Sequence, residues 1–422
     1  MAWMKTTAAV SMIALTASAA DAQQKQVVTG PVATYWMSAQ TMSGFGAGMG
    51  APGARPSMSQ MMGAMNGGGA SKTLTLQLGS SRKPTAEPSA EHLPPQGLRS
   101  GPTLPLTTPR AQPVQRTEET PSFSRDYQKP KGRMLIFWGC GEHARPGQPI
   151  VIDFAKMADG KMPPGLEAMS RGLNVTPMQP PSPSRNATYG EWPNEKTRTS
   201  VPGNGSLLGE HLIRGTYSPD IRFSLNAAQD FLGPLSLTTN AIGASGAGQL
   251  GWGAVPNAQA YLATAIGGGQ DDTVVLWTSS EVQASAFSLP DYLSNGDIGR
   301  LVASRALMGP QTTACTIPQE VVKVAPQAMV QLAAYGNETN LSYPERPKDP
   351  KVAWNIEWTV KVRYKSQTGG LLGMEMPGAR RQGQADPRPV MVPGAQETAP
   401  PTPAEAIGGA LLRGLGGRIP RF

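Results

Sequence analysis

WNIEWTVKVRYKS, residues 354–366, alternates apolar and polar side chains and is the clearest β-strand in the sequence. Side chains of a strand point to its two faces in turn. The apolar residues share one face: Trp358, Val360, Val362 and Tyr364. The basic residues share the other: Lys361, Arg363 and Lys365. Because lysine on an outer strand discourages pairing with a second molecule, the pattern predicts an edge strand.

Shorter stretches with the same period of two predict that the chain is mainly β. Gly, Pro, Asn and Ser separate these stretches, as is typical of turns between strands. The candidate strands are residues 32–41, 72–81, 134–138, 150–154, 207–214 and 221–225. We therefore predict two β-sandwich-like regions, residues 132–232 and residues 233–367.

One stretch, NGDIGRLVASRALMGP (residues 295–310), has the period of a helix instead. Its apolar residues recur on one side: Ile298, Leu301, Val302 and Met308. Gly309 and Pro310 are residues that commonly end a helix. The second region is therefore predicted to carry a short helical insertion.

Glycine and proline are unusually frequent, with 49 and 41 residues in a chain of 422. Such a composition supports one or two cores of medium size rather than a core along the whole length. Residues 23–131 are rich in Gly, Met and Pro and are predicted to form only two strands. Long N- and C-terminal segments, including a tail at residues 368–422, are predicted to be disordered.

The end of the tail spaces four apolar residues by four: Ile407, Leu411, Leu415 and Ile419. Glycines within this stretch would each cost a helix about 1 kcal/mol. A helix is therefore expected there only on a partner or a membrane surface, which predicts at most weak membrane-surface contact. A disordered tail is the alternative.

The chain opens with MAWMKTTAAVSMIALTASAADAQQ, which has the three parts of a secretory signal. Lys5 is followed by an apolar stretch at residues 8–20 and by the small residues Ala20 and Ala22. This order predicts a signal peptide at residues 1–22 and a periplasmic or secreted mature protein. No later stretch has the roughly 20 apolar residues of a membrane helix, so no transmembrane segment is predicted.

The formal net charge is +8, but the basic residues are scattered along the chain. A nucleic-acid-binding protein normally gathers its basic residues into a stripe or patch, so no nucleic-acid partner is predicted. Weak attraction to an anionic surface, such as lipid headgroups or a wall polymer, is compatible with this charge.

The two cysteines, Cys140 and Cys315, fit an oxidising compartment in which they could be joined. Cys140 lies in GCGEHARPGQP (residues 139–149), whose Gly and Pro content predicts a loop between two strands. A reactive thiolate at Cys140, stabilised by His143, is the alternative. We favour a disulfide between Cys140 and Cys315.

Metal binding is an alternative interpretation of the histidines, of Cys140 and of a group of methionines. Each of the three histidines follows a glutamate: His92, His143 and His211. With Cys140 they could bind zinc, although their spacing matches no known ligand framework. Four methionines are dense in MSQMMGAM: Met58, Met61, Met62 and Met65. Thioethers suit copper(I), but a flexible apolar contact patch is the alternative, so no cofactor is predicted.

Motifs of common enzyme classes do not appear in the sequence. SSRK, residues 80–83, has the Ser-x-x-Lys spacing of wall-processing acyl enzymes, but it follows a strand rather than starting a helix. A cell-wall-processing enzyme using Ser80 or Cys140 is therefore a weaker alternative. The absence of a catalytic set favours a protein that is not an enzyme.

Residues 250–280 and 328–344 resemble the fibronectin type III β-sandwich pattern, through a tryptophan followed by VPNAQAY and a late strand ending AAYGNE. This resemblance implies that Trp252, Tyr261 and Leu332 are core residues and that the region is a binding or spacer module.

The signal sequence, YWMSAQT, FWGCGEH and WTVKVRYKS are similar to a group of uncharacterised exported proteins of Gram-negative bacteria. That resemblance implies export and no particular chemistry. The sequence as a whole predicts an exported, non-enzymatic cell-envelope protein that binds or spaces an envelope protein or a wall or surface component. Periplasmic handling of copper or zinc is the alternative.

Overall fold

The computed structural model describes residues 26–44, 70–84, 86–109, 131–167, 173–197, 200–283 and 289–374. This part of the chain contains eighteen β-strands and three short α-helices. The strands are β1 (Val28–Thr29), β2 (Ala33–Met42), β3 (Ser71–Ser80), β4 (Ala90–Leu93), β5 (Leu104–Leu106), β6 (Arg133–Trp138), β7 (Ile150–Asp153), β8 (Thr188–Trp192), β9 (Gly209–Gly215), β10 (Ile221–Leu225), β11 (Leu237–Ile242), β12 (Gly248–Trp252), β13 (Ala258–Gly268), β14 (Thr273–Thr278), β15 (Ala314–Ile317), β16 (Met329–Tyr343), β17 (Trp354–Asn355) and β18 (Trp358–Leu371). The α-helices are α1 (Phe154–Ala158), α2 (Asn295–Ala303) and α3 (Gln319–Val324). The prediction of a mainly β protein is confirmed.

Four sheets contain these strands. The largest is a nine-stranded mixed sheet with the order β7-β6-β14-β13-β16-β18-β2-β3-β8. A four-stranded sheet has the order β10-β9-β4-β5, and a three-stranded sheet has the order β11-β12-β15. Strands β1 and β17 form a short parallel pair.

The prediction that residues 354–366 form an edge strand is wrong. Strand β18 lies inside the nine-stranded sheet, with β16 antiparallel on one side and β2 parallel on the other. The basic residues occupy one face of the strand, and that is a property of side chains. Whether a strand lies at the edge or in the centre of a sheet depends instead on backbone pairing, which those side chains do not determine.

The boundary predicted at residue 232 does not separate two sandwiches. The nine-stranded sheet takes β2 and β3 from the Gly-, Met- and Pro-rich segment, β6, β7 and β8 from the first region, and β13, β14, β16 and β18 from the second. Two parallel pairings between distant parts of the chain, β2 with β18 and β6 with β14, make this possible. Such non-local pairings leave no mark in the local sequence pattern.

One core fills the space between one face of the nine-stranded sheet, here called the inner face, and the two smaller sheets. The nine-stranded sheet contributes Met37, Leu76, Val330, Leu332 and Val362, among others, and the smaller sheets contribute Ile213, Leu250 and Ile317. Burying each such side chain stabilises the fold by about 1.5–3 kcal/mol. Trp252, Tyr261 and Leu332 are also buried in this core, as predicted, whereas the likeness to fibronectin type III stays a prediction.

The opposite face of the nine-stranded sheet, here called the outer face, is covered in part by α2. The predicted helical insertion is present, but it ends at Ala303 rather than at Gly309 as predicted. Its residues Ile298 and Leu301 are buried together with Leu262 and Tyr335 of the sheet. The Ser294 Oγ accepts a hydrogen bond from the Asp297 backbone nitrogen at 3.1 Å and caps the first turn. The apolar side of the helix thus fixes α2 beside the polar part of the outer face.

Several predictions lie outside the described residues. They concern the signal peptide at 1–22, the methionines Met58, Met61, Met62 and Met65, and residues 375–422 of the tail. The predicted start of that tail at residue 368 is wrong, because β18 continues to Leu371. Among the helices that the structure describes, none has the length and apolar character needed to cross a membrane.

Candidate functional site

The outer face of β18 carries a row of polar side chains. Alternate residues of the strand form it: Thr359, Lys361, Arg363, Lys365 and Gln367. The parallel neighbour β2 places Trp36 beside Lys361 and Ser38 beside Arg363. The inner-face residues of the same strand, Val360 and Val362, are fully buried. Strand β18 therefore has its inner-face side chains buried in the core and charged side chains on its outer face.

Two ion pairs neutralise part of this charge. The Lys361 Nζ lies 2.6 Å from Glu338 Oε2, and the Lys365 Nζ lies 2.7 Å from Asp291 Oδ1. The attraction of Lys365 holds the pKa of the Asp291 carboxyl below its usual value. These carboxylates come from β16 and from the segment before α2, which the sequence reading did not single out.

Arg363 lies between two aromatic rings. Its guanidinium carbon is 4.9 Å from the centre of the Trp36 ring and 4.4 Å from that of Tyr292. Its Nε and Nη2 both donate to the Ser38 Oγ, at 3.0 Å and 2.6 Å. Burial lowers the pKa of Arg363. Cation–π contact in a partly desolvated position is worth about 0.5–2 kcal/mol, which helps to hold the buried charge.

A groove of about 380 Å³ opens at one end of this row. We call it the tryptophan groove; its lining includes Thr34, Trp36, Asn340, Ser342, Trp354 and Thr359. The Trp354 indole nitrogen donates to the Pro344 carbonyl at 3.0 Å, and the Arg346 guanidinium carbon is 5.5 Å from the Trp354 ring centre. The groove thus offers fixed aromatic rings together with hydroxyl and amide groups, a combination typical of ligand sites.

A smaller pocket of about 200 Å³ opens near the other end of the row. We call it the lysine pocket; its lining includes Leu262, Thr264, Asp291, Gln331, Ala333 and Lys365. Ala333 lies between Leu262 of β13 and Gln367 of β18 in the sheet register. Because its side chain is a single methyl group, the space above Ala333 is left open.

Two of the three histidines proposed as metal ligands come together, in the core rather than at a surface. His92 of β4 and His211 of β9 lie in the four-stranded sheet, with 2.9 Å between His92 Nε2 and His211 Nδ1. The Tyr35 hydroxyl lies 2.9 Å from His92 Nδ1, and His211 Nε2 lies 2.8 Å from the Leu207 carbonyl oxygen. The Phe223 ring stacks on His211 with the ring centres 4.8 Å apart.

The Leu207 carbonyl, at one end of this series of hydrogen bonds, fixes the direction of all of them. The Leu207 carbonyl only accepts, so His211 Nε2 must donate to it. His211 Nδ1 of the neutral ring then accepts from His92 Nε2, and His92 Nδ1 accepts from the Tyr35 hydroxyl. Burial lowers the pKa of His211 to about 4 and that of His92 well below its usual value. Both rings are therefore neutral at pH 7, and all four ring nitrogens are engaged.

The third histidine does not join the other two. His143 lies in the loop after β6 with its side chain 66% exposed, and its Nδ1 is 3.3 Å from Glu320 Oε1. The described residues contain no group of three or more His, Cys, Asp or Glu side chains placed to hold a metal ion. The four methionines lie outside that part of the chain, so metal handling stays a prediction.

Cys140 and Cys315 are joined in a disulfide, the pairing that the sequence favoured, with their Cα atoms 5.4 Å apart. The bond connects the loop between β6 and β7 to β15, and so links the large sheet to the three-stranded sheet. A disulfide sulfur is not a thiolate nucleophile.

Ser80 is also engaged structurally. It is fully buried, and its Oγ donates to the Tyr217 carbonyl oxygen at 2.6 Å. Lys83, the partner in the Ser-x-x-Lys spacing, is exposed.

Comparison of the chain with models of protein families, with curated proteins and with solved structures finds no match.

Proposed function

We propose that the chain is an exported cell-envelope protein that acts as a non-enzymatic binding module, with its ligand in the tryptophan groove. The observation that carries this proposal is the groove itself, where Trp36 and Trp354 stand among hydroxyl and amide side chains. Cys140 is joined in a disulfide, and the Ser80 hydroxyl donates to a carbonyl oxygen. Because both candidate nucleophiles are engaged in this way, binding is favoured over catalysis. The signal-like N-terminus supports export.

The chemistry of the groove favours a polysaccharide of the wall or cell surface. A sugar ring has an apolar face of C–H groups, which packs on an indole ring, and a rim of hydroxyls, which pair with Thr, Ser and Asn side chains. A large aromatic side chain supplies most of the contact area in such a site. The positive net charge of the chain adds weak attraction to an anionic polymer.

Binding of the purified protein to isolated envelope polysaccharide tests the proposal. Trp354→Ala is expected to weaken binding about tenfold, which corresponds to ~1.4 kcal/mol. Trp138→Ala is the matched control, because Trp138 is also a partly exposed tryptophan and lies in β6, at the far side of the nine-stranded sheet. Equal binding by both variants, with each folded by circular dichroism, would exclude the groove.

Export has a separate test. The protein should be recovered from the periplasm or medium of source cells, and its N-terminus should begin after Ala22. Recovery from the cytoplasm with residues 1–22 intact would contradict the proposal.

A further inference from the structure

We propose that the lysine pocket binds a small monocarboxylate with a short apolar tail, and that the ligand carboxylate takes the place of Asp291 on the Lys365 ammonium. This site is distinct from the tryptophan groove. Arg363 lies between Lys361 and Lys365 on the outer face of β18, and the Tyr292 ring packs on its guanidinium. The two proposals can therefore fail independently.

The first argument is the unequal burial of the ion pair. Lys365 is only 6% exposed, whereas the side chain of Asp291 is 83% exposed. A buried ammonium needs a partner, but the present partner is largely in water, so a second carboxylate can take its place without any carboxylate being left buried and unpaired. An ammonium has three donors, and within the described residues the Lys365 Nζ uses one of them, on Asp291. The pocket therefore contains a cation whose counter-ion is easily exchanged.

The second argument is the charge of the surroundings. The row on the outer face carries three cations, Lys361, Arg363 and Lys365, and the carboxylates paired with it are Glu338 and Asp291. When Asp291 turns into solvent, Lys365 loses its counter-ion and Arg363 stays positive beside it. An anion is then the ligand that restores neutrality.

The third argument is shape. A volume of about 200 Å³ exceeds the ~150 Å³ in which an engineered protein cavity binds benzene, so a ligand of about six heavy atoms fits. Leu262, Leu289 and Ala333 supply apolar side chains to the lining. Thr264, Gln331 and Gln367 supply polar groups around it. A carboxylate on Lys365 with a short alkyl chain against the leucines matches both parts of the lining.

The test uses butyrate as the probe and butyramide, its neutral isostere, as the control ligand, at constant ionic strength. Binding is followed through the NMR signals of ¹³C-labelled alanine and leucine methyl groups in the purified protein. Butyrate is expected to shift the methyl signals of Ala333 and Leu262 saturably, and butyramide to bind at least tenfold more weakly. Equal binding of the two ligands, or no shift with butyrate, would overturn the proposal.

Two variants give opposite expectations. Lys365→Met should weaken butyrate binding at least tenfold, because the cation is lost. Asp291→Asn should strengthen it several-fold, because the competing carboxylate is lost, and a misfolded chain cannot produce a gain in affinity. Lys348→Met, at an exposed lysine that does not line the pocket, should bind as the unmodified protein does. Unchanged or weaker binding by Asp291→Asn would show that Asp291 does not compete for the site.

Discussion

Lowering the pH from 7 to 5 is expected to destabilise the fold through His92 and His211. His211 is 1% exposed and is held between His92 Nε2 and the Leu207 carbonyl. A second proton on His211 would put its Nδ1–H opposite the Nε2–H of His92, and a second proton on His92 would require the Tyr35 hydroxyl to turn and accept. The groups that contact the pair are Tyr35, Phe223 and the Leu207 carbonyl, and none of them can offer a negative charge at pH 5.

The size of the effect follows from the pKa of His211, about 4 in the folded protein, against about 6.5 in the unfolded chain. As the pH falls below 6.5 the unfolded chain takes up the proton first. The stabilisation is therefore present above pH 6.5 and is lost progressively down to about pH 4. At pH 5 the loss due to His211 amounts to about 2 kcal/mol of unfolding free energy. His92, whose pKa is also lowered, acts in the same direction.

Denaturant unfolding at pH 7 and pH 5 measures this loss. The unmodified protein should lose about 2 kcal/mol or more beyond the loss of a His92→Gln/His211→Gln variant, which has no buried histidine to titrate. His143→Gln, at the exposed histidine, should behave as the unmodified protein does. In the folded protein, two of the three histidine Cε1 proton signals should stay constant from pH 8 to pH 5. Equal losses in the unmodified and double variants, or titration of all three signals, would refute the reasoning.

Two further predictions concern the disulfide and one close contact. Replacing both Cys140 and Cys315 by Ser removes a covalent link between residues that are 175 positions apart. On the loop-entropy model this should lower the unfolding free energy by up to about 5 kcal/mol. Unchanged stability in denaturant unfolding would contradict this. Gly190→Ala would place a Cβ 2.5 Å from the Tyr217 hydroxyl oxygen and should cost about 1–3 kcal/mol in thermal unfolding. Gly268→Ala, where no atom lies within 4 Å of the new Cβ, is the control and should cost less.

Local pattern was enough to find seven of the eighteen described strands, β2, β3, β6, β7, β9, β10 and β18. The prediction of only two strands in residues 23–131 is wrong, because this segment contains β1 to β5, and three of these are only two to four residues long. The stretch predicted at 72–81 is β3 (Ser71–Ser80), and the stretch predicted at 221–225 is β10 (Ile221–Leu225). The helix predicted from residue 295 is α2, and its apolar residues Ile298 and Leu301 are buried as its period requires. These elements are readable because one face of each is buried, which imposes the period on the sequence.

The sheet order and the candidate site could not be read in the same way. The pairing of β18 with β2 joins residues more than 300 positions apart, and it alone brings Trp36 beside Lys361 and Ser38 beside Arg363. Asp291, an exposed residue before α2, gave no signal that it would contact Lys365. Each histidine follows a glutamate in the sequence, but alternation on a strand could not show that the rings of His92 and His211 come into contact between β4 and β9.

The two faces of β18 allow stability and binding to be changed separately. Val360 and Val362 point into the core, so their truncation would unfold the protein before any effect on a ligand could be measured. Lys365 differs, because Lys365→Met removes the buried charge and leaves only Asp291, whose side chain is 83% exposed, without its partner. No buried charge stays unpaired, so the cost of breaking a buried ion pair does not arise. Stability by itself would therefore be served as well by methionine at position 365. If Lys365→Met keeps the unfolding free energy within about 1 kcal/mol and loses butyrate binding, the lysine serves the ligand. If it lowers stability by several kcal/mol and the protein never binds butyrate, the lysine serves the fold.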